Sequence, residues 1–206
     1  MGITESNLSS GEQQWRHATL FNGRALWVDP ADSLGLIANG VFEPDETALC
    51  MSLLKPGDRV LDIGANVGYY TILCAECVGA HGRVDAIEPD PQNFALLDAN
   101  TQELQQGGAV RLHKLALSDE SATTLLFHSK DNIGMHRLYD SVCCDGTAVE
   151  VSARRGDELM LAPLDFIKID VEGLEPAVLA TLRRFYRRCD AIFAPSDSMA
   201  QVLREQ

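Results

Sequence analysis

The sequence predicts an α/β fold with a mostly parallel sheet and helices on both faces. Three observations predict it. Short apolar runs at 59–64, 82–89, 109–119, 165–173 and 190–196 have the length and content of buried strands. Most of the stretches between them show helical periodicity, and alternation of strands with such helices gives βαβ units and hence a parallel sheet. A glycine-bearing junction, "DIGANVG" (62–68), joins the first of these strands to the helix that follows.

Taken in order, residues 1–20 are polar and weakly patterned and read as a lead-in. We divide the chain into an N-terminal lead-in or cap, 1–40, and one domain, 41–206. A helix is expected around 44–54, with Pro44 suited to its first turn and Lys55-Pro56-Gly57-Asp58 ending it. "RVLDIG" (59–64) is a strand, followed by helical periodicity through "NVGYYTILCAECVG". "GRVDAIEP" (82–89) is the second strand, and "DPQNFALLDANTQEL" a helix with Phe94, Leu97 and Leu104 on or near one face. "AVRLHKLALSD" (109–119) reads as a single third strand and "DFIKIDVEG" (165–173) as the fourth. "LEPAVLATLRRFYRR" reads as one helix with Pro176 in its opening turn, and "DAIFAPS" (190–196) as the fifth strand. Between the third and fourth strands the rhythm breaks. "TTLLFHS" and "AVEVSAR" look like extra strands flanking the polar "KDNIGMHRLYDSVCCDGT", and long connections of this kind are often functional.

Composition narrows the function classes. At 206 residues, 46% hydrophobic and 23% charged, the chain is long and apolar enough for one folded core. No apolar run approaches the roughly 18 residues a spanning helix needs, and no basic-then-apolar signal pattern opens the chain. A cytoplasmic protein without a membrane partner is expected. The net charge of −13 repels nucleic-acid phosphates, so no nucleic-acid partner is expected either. Arg183, Arg184, Arg187 and Arg188 cluster at the end of a helix, where they complement its dipole. Six cysteines without a secretion signal suggest free thiols in a reducing compartment. Cys74 and Cys77 lie late in a helix, away from the thiol-activating N-terminus, and Cys143-Cys144 lacks ligand spacing. No metal is expected.

Ligands of open parallel sheets bind beyond the carboxyl ends of the strands. Those ends carry Asp62-Ile63-Gly64, Glu88-Pro89-Asp90, Ser118-Asp119 and Asp170-Val171-Glu172-Gly173. One acidic strand end is ordinarily a helix cap, whereas four in succession suggest a site. A dinucleotide fingerprint would place a further glycine where Ala65-Asn66 stands, and no G-K-[S/T] follows, so a phosphate cradle is disfavoured. A cationic, phosphate-free nucleoside fits better. It needs close backbone approach at Gly64, Ala65 and Gly68, and an acceptor pair for two ribose hydroxyls. Glu88, about 20 residues beyond Gly68, supplies that pair. S-adenosylmethionine is such a ligand.

In this order, "VLDIGANVGYYTILCAECVGAHGRVDAIEPDPQNFALLDAN", "LALSD", "DNIGMHRL" and "DFIKIDVEGLE" resemble the FkbM family of S-adenosylmethionine-dependent methyltransferases. The resemblance covers about 40–190, including "GVFEPDE". It implies a class I methyltransferase (Rossmann-like) fold with a seven-stranded sheet, and methyl transfer to a hydroxyl on a small molecule or glycan. Carried over by position, it implies that Asp62, Gly64, Ala65, Asn66, Gly68 and Tyr69 line the methionine and ribose side of the cofactor. Glu88 would hold the ribose, Pro89 and Asp90 would sit beside the adenine, and Ser118 and Asp119 at its edge. Glu43 would close over the methionine end, and Asp170 and Glu172 would face the reacting centre. Capping roles compete at Asp90 and Asn66, and Asp62 could mainly order the glycine loop.

An acceptor hydroxyl gains from a base that takes its proton. Asp170 is the first candidate and Glu172 the next, with His136 and His128 in the irregular insert behind them. Asp170 and Glu172 could instead share a divalent metal, but residues two apart point one way only where the strand breaks, so direct base catalysis is favoured. The resemblance also implies a glutamate-bearing strand and a closing hairpin near the C-terminus, which "CDAIFAPSDS" and "SMAQVLREQ" do not match. The sheet is therefore expected to lack final strands unless an N-terminal segment or a homodimer partner covers its edge. This leaves a non-catalytic S-adenosylmethionine-binding module as the alternative to an enzyme.

Overall fold

The computed structural model describes residues 15–129, 136, 138, 144–171, 173–186 and 189–194. Its strands are β1 (Arg16–Thr19), β2 (Ala25–Val28), β3 (Arg59–Ile63), β4 (Arg83–Ile87), β5 (Val110–His113), β6 (Ala116–Ser118), β7 (Ala122–Ser129), β8 (Cys144–Arg155), β9 (Phe166–Ile169) and β10 (Ala191–Phe193). Its α-helices are α1 (Leu36–Asn39), α2 (Pro44–Leu53), α3 (Tyr69–Val78), α4 (Pro91–Gln106), α5 (Glu175–Thr181) and α6 (Arg183–Tyr186).

The central sheet has the order β10-β9-β3-β4-β5, with every pairing parallel. Its three inner strands are covered on both faces, so they read as almost continuous apolar runs. Side chains alternate across it. Val60, Val84 and Phe166 enter one core with the buried side of α3. Leu61, Ile63, Ile167 and Ile169 enter another with Val178, Leu179 and Leu182 from the α5 region. The α/β class with helices on both faces is thus the architecture observed. Five central strands are formed by the described residues, against the seven the family resemblance implies, and residues 195–206 lie outside them.

Two elements differ from the sequence expectation. The run 109–119 is two strands. Leu115 donates its N–H to the His113 carbonyl at 3.1 Å, a three-residue turn that swings the chain out of the central sheet. Beyond it, β6 pairs in parallel with β8, which forms an antiparallel hairpin with β7. The second difference is that the helix after Gly173 breaks at Leu182. The Thr181 hydroxyl donates to the Val178 carbonyl at 2.8 Å and accepts from the Gly156 N–H at 2.9 Å, so it competes with the helix ladder.

The lead-in is more ordered than its polarity suggests, since β1 pairs with β2 and buries Ala18 and Leu20. The Asn100 side chain on α4 brackets Trp27 of β2, accepting from its N–H at 2.7 Å and donating to its carbonyl at 2.9 Å. It also donates to the Val67 carbonyl at 2.8 Å, which ties the hairpin to the glycine junction.

Helix α4 starts at a strong cap. Asp90 Oδ1 accepts from the N–H groups of Gln92 and Asn93 at 2.8 and 2.9 Å, and Pro91 fills the first helical position. Asp90→Ala is expected to cost about 1–2 kcal/mol, the top of the range for a cap because the site is buried. Urea denaturation measures it.

Candidate functional site

The ends of β3, β4 and β9 surround a cavity of about 280 Å³. Its floor is the β3–α3 junction. Gly64 (φ +78°) and Asn66 (φ +52°) both take left-handed backbone, and Gly68 (φ +93°) stands before α3. The N–H groups of Gly64 and Ala65 both donate to the Ile87 carbonyl at 3.0 Å, which fastens the turn to the end of β4. A Cβ on Gly64 would collide with the Asp170 carbonyl oxygen. A Cβ on Gly68 would lie 2.9 Å from Leu97 Cδ1 of α4. Both glycines therefore serve packing between elements.

Glu88 follows β4 and is 5% exposed. Its Oε2 accepts from the Asn66 N–H at 2.8 Å and its Oε1 from the Asp90 N–H at 2.9 Å. Burial pushes its carboxyl up to about 7, against the lowering effect of those two N–H groups. Each oxygen keeps a lone pair free for a further donor. The Asn66 side-chain oxygen is buried without a partner, an acceptor in a cavity wall.

At the opposite end, Phe42, Tyr69 and Tyr70 make an aromatic wall, with Tyr69 and Tyr70 edge to face at 5.2 Å. Glu43 enters from the left-handed position before α2 (φ 44°) and accepts from the Tyr70 hydroxyl at 3.3 Å. Strained non-glycine backbone concentrates at functional positions, and two of the three described instances, Glu43 and Asn66, line this cavity. Burial raises the Glu43 carboxyl above its usual range, and the nearby Asp170 adds to the shift.

Asp170 follows β9, with its N–H bonded to the Ile63 carbonyl at 3.0 Å. Beside it, Lys168 carries its ammonium to the cavity wall. Asp62 lies beneath, fully buried, with Oδ2 accepting from the Thr71 hydroxyl at 2.6 Å.

Of the residues singled out from sequence, Glu43, Gly64, Ala65, Asn66, Tyr69, Glu88, Pro89, His136 and Asp170 line the cavity. Asp62, Gly68 and Asp90 support it from behind. Ser118 and Asp119 stand at the end of β6, bonded to each other at 3.1 Å, while Ala116 and Leu117 of the same strand line the cavity. Glu172 lies outside the described residues. Lys168, Tyr70 and Asn93 also line the cavity and were not anticipated. Lys168 had a visible signal, a charge in the middle of the apolar run "FIKI".

Asp90, His128 and His136 each place a potential ligand atom within 4.8 Å of the other two, a grouping that could hold a metal ion. His128 Nε2 meets Asp90 Oδ2 at 3.0 Å. His136 Nδ1 accepts from the Ser129 N–H at 3.1 Å. Burial lowers the His136 pKa, and Asp90 opposes that shift. A neutral His136 bonded in this way carries its proton on Nε2 and offers a donor there.

The arrangement suits a nucleoside bearing positive charge. It has the Glu88 carboxyl with acceptor capacity to spare, the unpartnered Asn66 oxygen, aromatic walls, and the Glu43 and Asp170 carboxyl groups. The residues present fit S-adenosylmethionine.

Comparison with known proteins agrees. The model of the methyltransferase FkbM domain matches residues 62–201. The chain is 28% identical to 31-O-demethyl-FK506 methyltransferase FkbM of Streptomyces tacrolimicus, over 87% of this chain and 72% of that one. It is 35% identical to ribosomal RNA large subunit methyltransferase E of Sorangium cellulosum, over 43% of this chain and 41% of that one. Among solved structures, a methyltransferase FkbM of Methylobacillus flagellatus superposes with TM-score 0.46 at 17% identity, over 67% of this chain and 36% of that one. An O-methyltransferase of Thermotoga maritima gives TM-score 0.46 at 17% identity, over 78% and 47%. The chain thus spans less than half the length of each of these two solved chains and of the Sorangium relative. With a domain model matched over most of its length and a site that fits the methyl donor, the chain belongs to the FkbM family of S-adenosylmethionine-dependent methyltransferases.

Proposed function

We propose that the protein methylates a hydroxyl oxygen on a small molecule or glycan, with Asp170 as the base. The observation that carries this reading is the Asp170 carboxylate, at the end of β9, lining the cavity beside Lys168. When bound, S-adenosylmethionine supplies an electrophilic methyl carbon on a sulfonium sulfur. Asp170 would accept the proton of the acceptor hydroxyl as its oxygen forms the new bond to carbon and the carbon–sulfur bond breaks. Holding that oxygen in line can supply on the order of 7–11 kcal/mol. Glu88 would bind the ribose hydroxyls, and Asn66, Gly64, Ala65 and Tyr69 the middle of the donor. Glu43 would face its methionine end, and Glu172 and His136 remain secondary candidates for the base.

Support for an oxygen acceptor comes from the Streptomyces relative, whose name specifies an O-demethyl substrate. The Sorangium relative acts on ribosomal RNA by its name, yet a net charge of −13 disfavours a polyanionic acceptor here. No described helix is long and apolar enough to cross a membrane. Cys50 and Cys74 as buried free thiols fit a cytoplasmic setting. We assign acceptor selection to 1–43 and the insert 120–160, with 1–40 as a cap on a single domain.

The test is an acceptor screen against small-molecule and glycan fractions of cell extract, following S-adenosylhomocysteine release by mass spectrometry. Turnover is expected, and its absence with every fraction despite cofactor binding would favour a non-catalytic module. With an acceptor in hand, Asp170→Asn is expected to lower turnover by about a hundred- to ten-thousand-fold, the range for loss of a general base. S-adenosylhomocysteine affinity should change far less. Unchanged turnover would remove Asp170 from the role of base.

A further inference from the structure

The charged lining of the cavity is lopsided. Glu43, Glu88 and Asp170 are acidic, and Lys168 is the one lysine or arginine among its described lining residues. Lys168 is 2% exposed, in the middle of a strand whose other residues are apolar. Burial works against its charge, but Asp170 and Asp62 outweigh that and hold the ammonium protonated.

The contacts of that ammonium are all stretched. Nζ lies 3.4 Å from Asp170 Oδ2, 3.5 Å from the Gly64 carbonyl and 3.6 Å from Asp62 Oδ1, with the Tyr70 ring 4.8 Å away. Charge-assisted hydrogen bonds close to about 2.7–2.9 Å when they are fully made. Asp62 Oδ1 has no hydrogen-bond partner at all. A cation serving only to neutralise two carboxylates would be expected to close on at least one of them. This one keeps donor capacity and borders the ligand cavity.

The methyl donor of the family carries one anionic group, the α-carboxylate of its methionine portion. Its direction in the cavity follows from the strand order. Glu88, the ribose acceptor, follows β4, while Lys168 lies in β9 and Asp170 just after it, on the other side of β3. A donor with its ribose over β4 therefore extends its amino-acid end across β3 toward Lys168. We propose that Lys168 binds the α-carboxylate of S-adenosylmethionine and of its demethylated product, and so fixes the methionine end beside Asp170. The proposal rests on the cavity taking that cofactor.

Calorimetric titration with two ligands tests it. One is S-adenosylhomocysteine; the other is its decarboxylated analogue, which keeps the ammonium and lacks the carboxylate. Wild-type protein should prefer the first. Lys168→Met should weaken S-adenosylhomocysteine by at least about tenfold, the effect of one charge-assisted bond, and leave the analogue within about threefold. Lys168→Arg should restore much of the preference. If Lys168→Met does not fold, Asp62→Asn/Lys168→Met removes both buried charges together and gives the same comparison. Equal losses for the two ligands would make Lys168 merely structural and overturn the proposal. Failure of the wild type to bind either ligand would instead overturn the cofactor assignment beneath it.

Discussion

Glu88→Ala is expected to weaken S-adenosylhomocysteine binding by more than about a hundredfold, as measured by calorimetry. In the proposed binding mode it would remove two charge-assisted bonds to ribose hydroxyls, at about 1.5–3 kcal/mol each. The N–H groups of Asn66 and Asp90, now bonded to the Glu88 oxygens, lose their acceptor as well. Part of the loss therefore reflects a loosened glycine junction. Glu88→Gln separates the two effects, since its amide oxygen can still accept one of those N–H groups but carries no charge.

The same residue sets a pH dependence. The Glu88 carboxyl is pushed up to about 7 by burial, so it is partly protonated near neutrality in the free protein. Ribose hydroxyl donors favour its ionised form. The dissociation constant of the product should therefore rise as pH falls through about 7, approaching tenfold per pH unit. Glu88→Gln should flatten that profile. The sign for folding is opposite. A carboxyl raised above its unfolded value of 4.5 contributes stability that is fully present below 4.5 and is lost as pH rises through about 7. The free protein thus gives up some stability over the range in which the cofactor binds better. A flat binding profile in the wild type would show that Glu88 does not contact the ligand through its charge.

Gly64→Ala is expected to produce the largest loss of stability of any single change discussed. Alanine at φ +78° adds roughly 1–2 kcal/mol of backbone strain. The added Cβ would also strike the Asp170 carbonyl oxygen, which is backbone and cannot rotate aside. Relieving the clash means separating the ends of β3 and β9, at a further cost of about 1–3 kcal/mol by analogy with overpacked cores. A total of about 2–5 kcal/mol should appear as a large drop in the midpoint of thermal or urea unfolding, with cofactor binding lost as well. Gly57→Ala is the control. It shares a positive φ (+93°) but has nothing within 4 Å of the added Cβ, so it should cost only the strain.

Local chemistry that is contiguous in the chain was legible beforehand. The buried runs at β3, β4 and β9, the Asp90-Pro91 start of α4 and the Pro176 opening of α5 follow from patterns within a few residues. So does the pairing of a glycine junction with Glu88, because one βα unit fixes the distance between them. The third strand was misread because "AVRLHKLALSD" is apolar enough throughout to look continuous. Only the turn at Lys114 and the pairing of Ala116–Ser118 with β8 divide it. Likewise Ser118 and Asp119 have suitable chemistry, yet Ala116 and Leu117 line the cavity, since the course of β6 was unknowable without β8.

By itself, the sequence determined the fold class, the family and the methyl donor, because these rest on short-range periodicity and on motifs read along the chain. What the tertiary structure alone decided is how distant backbones meet. Gly64 is needed for the Asp170 carbonyl, an approach between strands more than a hundred residues apart. Lys168 is a lone charge in an apolar strand, and becomes a cation at the cavity wall only because β9 lies beside β3 and Asp62. Sequence records which charges are present; the parallel pairing of β3 and β9 sets which of them share a low-dielectric space, and with it their chemistry.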